Sequence, residues 1–386
     1  MNSNFRHILS IYAGTFFLSL HTYLVLYINS SFIGKYASET VIGVLYALSA
    51  VITLAVYFNV AKILNKIGNF WFTIGLIVLS AISILGMITL TNSYIILALF
   101  VVYQTIISII FFNLDLFLEH YTKSENNTGS VRAIFLTLSN TALVMSPAIV
   151  SFVLTNGDYW RIYFLSLLCF VPMLLIMGVS FFDFKDPHQK DLTLVSSIKE
   201  VWQRKDVYRI SMARFVLEIF YAVMVVYTPI YLYTVVGFSW AEIGTMFTIM
   251  LLPFMLFELP IGRIADKWLG EKEILIFGFV ITAIATLSLS LVTLKIFWLW
   301  ALILFLTRTG ASFVEITTES YFFKHVKSKD AQEIAVFRST RALSYIVGPL
   351  LAVVTLYFVP FRIIFAILSI IVFVGVFFAA GIKDTR

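Results

Sequence analysis

The sequence has few charged residues and a single cysteine, and each shortage excludes a class of protein. Asp, Glu, Lys and Arg make up 12% of the 386 residues, whereas a soluble domain typically carries about 25%. The one cysteine, Cys169, excludes an intramolecular disulfide framework and a cysteine-rich metal site. These shortages argue against a soluble enzyme, a nucleic-acid-binding domain and a disordered scaffold. We expect no cofactor and no metal ion.

Two short motifs are also missing from the sequence. No G-x-x-x-x-G-K-[ST] loop is present, which argues against a built-in ATPase. No A-x-A-like cleavage site follows the first apolar run, so we expect that run to be a retained helix and not a signal peptide. The formal net charge of +6 does not indicate nucleic acid, because membrane proteins concentrate Lys and Arg in cytoplasmic loops.

Hydrophobic residues are abundant, at 60% of the chain, and they occur in long runs. A membrane-spanning helix needs about 20 apolar residues. Twelve runs of about this length lie at 8–30, 41–63, 70–90, 94–118, 132–154, 161–182, 210–233, 241–260, 274–294, 297–321, 332–357 and 361–381. The sequence therefore predicts an all-α, polytopic membrane protein with twelve transmembrane helices.

Lys and Arg divide unevenly between the two sets of loops. If the N-terminus is cytoplasmic, nineteen of the 27 basic residues lie in cytoplasmic segments and four lie in outer segments. Cytoplasmic loops of membrane proteins carry the excess of positive charge. We therefore expect both termini in the cytoplasm, and the cell membrane as the location.

One long polar stretch divides the twelve spans into six and six. The sequence predicts an N-terminal six-helix bundle over 1–183, a cytoplasmic linker over 184–209 and a C-terminal six-helix bundle over 210–386. Within the linker, Leu194, Ile198, Val201 and Trp202 recur at helical spacing. This pattern favours a short amphipathic helix on the inner membrane face over a disordered linker.

The two halves repeat each other at a nearly constant distance. Ile42-Gly43 matches Ile243-Gly244, Gly68 matches Gly270, Pro147 matches Pro349, and Arg161-Ile162 matches Arg362-Ile363. Internal repeats of this size are typical of secondary transporters, whose substrate site lies between the repeats near the bilayer midplane. The offsets predict two pseudo-symmetric bundles.

The end of span 8 carries a recognisable motif. Gly262-Arg-Ile-Ala-Asp266-Lys267-Trp-Leu-Gly270 resembles the G-x-x-x-D-[RK]-x-G signature of the major facilitator superfamily. The resemblance implies a transporter that works by alternating access, and not an enzyme. The corresponding first-half segment keeps Gly68 but has Leu64 where the signature acid is expected.

The resemblance also implies a cytoplasmic gate. In that family the signature acid latches across the domain boundary, so we expect Asp266 to contact the N-terminus of span 5 or Arg132. The alternative is that Asp266 caps its own loop with Lys267 or Arg263. With Leu64 in place of the acid, the mirror latch against span 11 is expected to be weak, or rebuilt from Lys62, Asn65 or Lys66.

Several polar residues lie inside the predicted spans, where an ionisable group costs at least ~2.5–3.5 kcal/mol. The candidates for the substrate and proton pathway are His21, Asn113, Asp115, Glu218, Arg308, Glu315 and Glu319. The spacing of seven and four places Arg308, Glu315 and Glu319 on one helix face. Three structural alternatives remain: Glu319 pairs with Arg338 or Arg341, Glu218 pairs with Arg214 four residues earlier, and His21 bonds a backbone carbonyl.

These observations favour a secondary active transporter of a small organic solute, with protons as the expected coupling ion. The expected partners are the solute, protons and the lipid bilayer, with no nucleic acid, and we expect a monomer. The alternatives are a membrane enzyme or a lipid flippase acting on a lipid-linked substrate, or a sensor on the same fold. The enzyme would use Asp183-x-x-Asp186 to hold a divalent cation.

Overall fold

The computed structural model describes residues 3–26, 28–37, 39–122, 128–153, 159–189, 194–327 and 330–383. Within these ranges the chain is helical and contains no β-strand. This follows from the long apolar runs, because a helix satisfies all its backbone hydrogen bonds internally and lipid offers none. The chain divides into two compact units.

Unit 1 contains residues 1–123, 138–197 and 326–338. Its helices include α1 (Ser3–Leu26), α2 (Asn29–Ile33), α3 (Glu39–Phe58), α4 (Val60–Ile67), α5 (Asn69–Thr89), α6 (Ser93–Tyr121), α8 (Tyr159–Leu168) and α9 (Phe170–Phe181). Helix α6 packs against α1, α3 and α5, and α1 also packs against α8 and α9. The side chains on the inner faces of these helices form the core of the unit.

Unit 2 contains residues 124–137, 198–325 and 339–386. Its helices include α11 (Lys205–Tyr231), α12 (Trp240–Ile264), α13 (Glu271–Leu291), α14 (Phe297–His325) and α16 (Ile363–Gly381). Helix α14 packs against α11, α12 and α13, and α16 packs against α11 and α13. A π-helical turn, Ala265–Leu269, extends α12 and carries Asp266.

Three helices contribute residues to both units. They are α7 (Thr128–Val153), α10 (Leu194–Gln203) and α15 (Ala331–Phe358). Helix α10 is the helix that the sequence predicts in the linker. The first residues of α7 belong to unit 2, and the first residues of α15 belong to unit 1. The side chains of Pro147 and Pro349, two landmarks of the internal repeat, lie outside the described part of the chain.

The number of membrane-spanning helices is close to the predicted twelve. Among the described residues, ten helices are long and apolar enough to cross a membrane, and an eleventh results if α3 and α4 form one span with a 63° bend. The remaining expected span corresponds to α7, whose 26 residues exceed the length needed to cross a bilayer. The protein is therefore a multi-pass membrane protein.

The turn after the second span is repeated in both halves. Gly68 follows α4 with a φ of 82°, and Gly270 follows the turn after α12 with a φ of 77°. A side chain is strained at such angles, so glycine is the residue that permits each turn. The two glycines are 202 residues apart, which agrees with the repeat in the sequence.

Candidate functional site

Three carboxylates in unit 2 meet a single guanidinium, and we call this group the Arg214 cluster: Arg214, Tyr221, Glu218, Glu315 and Glu319. One nitrogen of Arg214, Nη2, lies 2.7 Å from Glu218 Oε1 and 3.2 Å from Glu315 Oε1. Its other terminal nitrogen, Nη1, lies 3.5 Å from Glu319 Oε1. The Tyr221 hydroxyl donates to Glu315 Oε2 at 2.8 Å.

Helices α11 and α14 build this cluster from residues at helical spacing. Arg214 and Glu218 are four residues apart on α11, and Glu315 and Glu319 are four apart on α14, so each pair shares a helix face. Arg308 stands on the same face of α14, and its guanidinium carbon lies 5.2 Å from the ring centroids of Phe220 and Tyr221. The polar face predicted for span 10 therefore packs against α11.

The three carboxylates differ in their access to the surface of the unit. The exposed fraction of the side chain is 14% for Glu315, 3% for Glu218 and 1% for Glu319. When ionised, the three outnumber the guanidinium that they contact, and like charges this close repel one another. A proton or a cationic group that reaches Glu315 would reduce that repulsion.

Unit 1 contains a second buried ion pair. Arg338, near the start of α15, donates from Nε to Asp115 Oδ2 at 2.7 Å, and the side chain of Asp115 is 2% exposed. From the sequence, Arg338 is expected only as a partner of Glu319. The structure instead pairs Arg338 with Asp115, and the ion pair that it shows for Glu319 is with Arg214.

Asn113 and His21 form interhelical hydrogen bonds in unit 1. Asn113 Nδ2 donates to Thr73 Oγ1 at 3.0 Å and so joins α6 to α5. His21 is fully buried, with Nδ1 lying 2.7 Å from Ser166 Oγ and 3.0 Å from the Ser166 carbonyl oxygen. Its Nε2 lies 3.0 Å from the Tyr103 hydroxyl. Both ring nitrogens therefore have partners on other helices, which favours the structural alternative for His21.

The signature acid contacts the first residues of α7. Asp266 Oδ1 accepts from the Gly129 N–H at 3.1 Å, and Oδ2 accepts from the Ser130 N–H at 2.7 Å and the Ser130 hydroxyl at 3.0 Å. These N–H groups have no partner within the helix, and the helix dipole favours an anion at this end. The contact expected between Asp266 and the N-terminus of span 5 is thus present, within unit 2.

Two glycines allow this close approach. A Cβ atom on Gly129 would lie 2.5 Å from Asp266 Oδ1, and one on Gly262 would lie 2.6 Å from the Ala133 Cβ. Arg132 is 1% exposed, and its guanidinium carbon lies 3.2 Å from the ring centroid of Phe323. Lys267, also expected at the gate, is exposed.

Two charged residues that the sequence pattern does not single out lie beside Asp266. Lys324 Nζ lies 3.2 Å from Asp266 Oδ1 and 2.5 Å from Glu271 Oε1. Glu271 is fully buried and also accepts from the Ser320 hydroxyl at 2.7 Å. Both residues stand at helix ends, where a charge usually faces solvent, so their residue types carry no signal of a buried ion pair. The only clue in the sequence is their position, with Glu271 directly after Gly270 and Lys324 near the end of α14. Glu258, fully buried on α12, was also missed.

A sequence profile of the Major Facilitator Superfamily matches residues 11–246 and 210–385, which together cover almost the whole chain. The chain belongs to the Major Facilitator Superfamily. This agrees with the resemblance seen at Gly262–Gly270. No curated protein sequence gives a significant match to the chain.

Solved structures of three transporters share the fold. The human organic anion transporter TETRAN superposes with a TM-score of 0.81 at 13% identity, over 98% of this chain and 100% of the other. A variant of the Escherichia coli fucose:proton symporter gives 0.80 at 12% identity over 100% of both chains. A bacterial homologue of the iron transporter ferroportin gives 0.76 at 11% identity over 98% of both. At these identities the likeness shows the fold alone.

Proposed function

We propose that the protein is a secondary active transporter that moves a small organic solute by alternating access, with protons as the coupling ion. The observation that supports this most directly is the Arg214 cluster, in which three carboxylates share one guanidinium inside a membrane helix bundle. A charged group inside a membrane-spanning helix costs free energy and usually marks a substrate or proton pathway. Family membership supports transport, and the cluster supports the coupling.

Glu315 is the proposed proton carrier of the cluster. It has the largest exposed fraction of the three carboxylates, and the Tyr221 hydroxyl and Arg214 hold one oxygen each. Proton binding at Glu315 would neutralise this carboxylate and weaken its ion pair with Arg214. Arg214 would then pair with Glu218 and Glu319 alone. The exchange of partners at Arg214 gives the protein two arrangements that a solute can bias.

The test is solute-dependent proton flux into proteoliposomes that contain a trapped pH-sensitive dye. The probes follow the solutes named for the structural neighbours: fucose and a small organic anion, with iron as the inorganic comparison. We expect one solute class to drive proton movement in the wild type, and Glu315→Gln to abolish the proton movement. Glu273→Gln, at an exposed carboxylate, is the matched control and should transport normally. A Glu315→Gln protein with an unchanged pH profile would show that Glu315 is structural.

We also propose that the protein lies in the cell membrane with both termini in the cytoplasm and that it is a monomer. These proposals rest on the distribution of Lys and Arg and on the two-bundle pattern. The enzyme alternative gains no support from the described residues. Asp186 accepts the Asn69 N–H, and no group of three His, Cys, Asp or Glu side chains in the described ranges is arranged to hold a metal ion.

A further inference from the structure

The two halves differ in charge at one set of equivalent positions. In the second half, Asp266, Glu271 and Lys324 interact beside the start of α7. The residues 202 positions earlier are uncharged: Leu64, Asn69 and Thr122. At Leu64 the first half therefore lacks the counterpart of Asp266, the carboxylate that accepts N–H groups from the start of α7.

By the same repeat, the helix start that needs an acceptor in unit 1 is that of α15. Ala331 stands 202 residues after Gly129, whose N–H donates to Asp266. Ala331 is 1% exposed, so water has little access to it. A buried N–H group without a partner is costly, and the first N–H groups of a helix have none within the helix.

The linker supplies that acceptor through Gln189. The Ala331 N–H donates to Gln189 Oε1 at 3.3 Å. Gln189 is itself 2% exposed, and its Nε2 donates to the Pro187 carbonyl oxygen at 3.1 Å. The second hydrogen bond orients the side-chain amide so that its oxygen faces α15.

Three further hydrogen bonds fix this part of the linker to α4 and to the start of α5. Asn65 Nδ2 donates to the Gln189 carbonyl oxygen at 2.9 Å, and the Gln189 N–H donates to Asn65 Oδ1 at 2.8 Å. The Asn69 N–H donates to Asp186 Oδ1 at 2.9 Å. Gln189 is thus held by Asn65, which follows Leu64, the residue at the position where the signature acid is expected.

We propose that Gln189 is a positioning residue for transport, which replaces the missing acid as the acceptor at the start of α15. The chain of contacts runs from Asn65 through Gln189 to Ala331, and every group in it is uncharged. The linker therefore holds the start of α15 within unit 1, as Asp266 holds the start of α7 within unit 2. Only the effect on transport rests on the proposed function, because the contact itself can be measured without a solute.

Hydrogen–deuterium exchange of the full-length protein in lipid nanodiscs tests the contact. Gln189→Met keeps the length of the side chain and removes the acceptor. We expect exchange at the Ala331 amide to become roughly fivefold faster, because one ordinary hydrogen bond contributes about 1 kcal/mol. Gln189→Glu loses the donation to Pro187 but has two Oε acceptors, so an oxygen faces the Ala331 N–H in either orientation and exchange should again be slow. The control is Gln203→Met, at an exposed glutamine of α10.

Three results would overturn the proposal: unchanged exchange at Ala331 in Gln189→Met, equally fast exchange in Gln189→Glu, or faster exchange in Gln203→Met. If Gln189→Met does not fold, Asn65→Ala removes the support of Gln189 and should also accelerate exchange at Ala331.

Proton flux in proteoliposomes then tests the role in transport, where Gln189→Met should be slower and Gln189→Glu close to wild type. Slow exchange restored without recovery of flux would show a contact with no role in transport.

Discussion

Arg214 is the cation at the centre of the charged cluster in unit 2. Its guanidinium is the shared partner of three carboxylates, and Arg214 is 6% exposed. Removal of one partner from a buried ion pair leaves an uncompensated charge and typically costs about 3–5 kcal/mol. Here a single substitution would leave three such carboxylates without this partner.

We therefore expect Arg214→Ala to destabilise the protein by at least this amount. The measurement is thermal unfolding of the purified protein in detergent, with the melting temperature as the readout. Arg263→Ala, at an exposed arginine at the end of α12, is the control and should melt like the wild type. A melting temperature for Arg214→Ala within a degree or two of the control would mean that the cluster contributes little to stability.

Asp186 gives stability a pH dependence whose sign can be stated. Burial raises the pKa of Asp186, and the hydrogen bond from the Asn69 N–H lowers this pKa by less. The folded protein therefore keeps this proton to a higher pH than the unfolded chain, where aspartate has a pKa of about 3.9. Because the folded state binds more protons in that window, the free energy of unfolding falls as the pH rises through it.

Asp186→Asn should remove this dependence while retaining an oxygen that accepts the Asn69 N–H. We expect the variant to melt at a higher temperature than the wild type near neutral pH, and the difference to shrink as the pH falls into the usual aspartate range. Asp183→Asn, at the exposed neighbouring acid, serves as the control. A difference that stays constant from about pH 4 to pH 8 would contradict the assignment to Asp186.

The approach of α12 to the first turn of α7 depends on a small residue. A Cβ on Gly262 would lie 2.6 Å from the Ala133 Cβ and 2.8 Å from the Gly129 carbonyl oxygen. A backbone atom cannot rotate away, so an added methyl group would separate the two helices. Overpacking of this kind typically costs about 1–3 kcal/mol.

Gly262→Ala should therefore destabilise the protein and weaken the contact of Asp266 with α7. The same helix provides the control, because a Cβ on Gly244 would meet nothing within 4 Å. There the substitution should be neutral or slightly stabilising, since alanine is the better helix former. If Gly262→Ala and Gly244→Ala have the same melting temperature, close packing does not require a glycine at position 262.

The helices themselves could be predicted from the sequence, because lipid requires each apolar run to satisfy its own backbone hydrogen bonds. The interruptions could not. The break at Cys169 between α8 and α9 occurs inside a run that remains apolar, so hydropathy carries no sign of it. The polar residues Asn59 and Lys62 stand where α3 ends and α4 begins, but polarity alone does not give the 63° angle between the two helices.

Site partners were harder to predict than site residues. The polar face of span 10 was visible from its spacing, whereas Asp115 and Arg338 are 223 residues apart and their pairing depends on which helices pack together. The contact of Asp266 with α7 was reached through the family signature and not through local pattern. Gln189 carried no signal at all, because a lone glutamine in a polar linker usually faces solvent.

Across the whole molecule, the two units contain the same kind of contact with different chemistry. Asp266 binds the start of α7 as an anion with Lys324 beside it, and Gln189 binds the start of α15 as a neutral amide. Charge-assisted hydrogen bonds are roughly twice as strong as neutral ones. The start of α7 is therefore expected to be held more tightly than the start of α15, and only the former depends on a carboxylate.

Asp266→Asn tests this asymmetry. The amide offers one acceptor oxygen where the carboxylate offers two, and it no longer pairs with Lys324. The substitution therefore removes a hydrogen bond to a charged group, which typically contributes about 1.5–3 kcal/mol. Exchange at the Gly129 and Ser130 amides should become at least tenfold faster, which corresponds to about 1.4 kcal/mol. The Ala331 amide, held by the linker, serves as the reference within the same molecule and should not change. If Gly129 and Ser130 exchange as slowly as in the wild type, the charge of Asp266 is not what holds α7. If Ala331 also accelerates, the two contacts are coupled, and Gln189 does not hold α15 independently of Asp266.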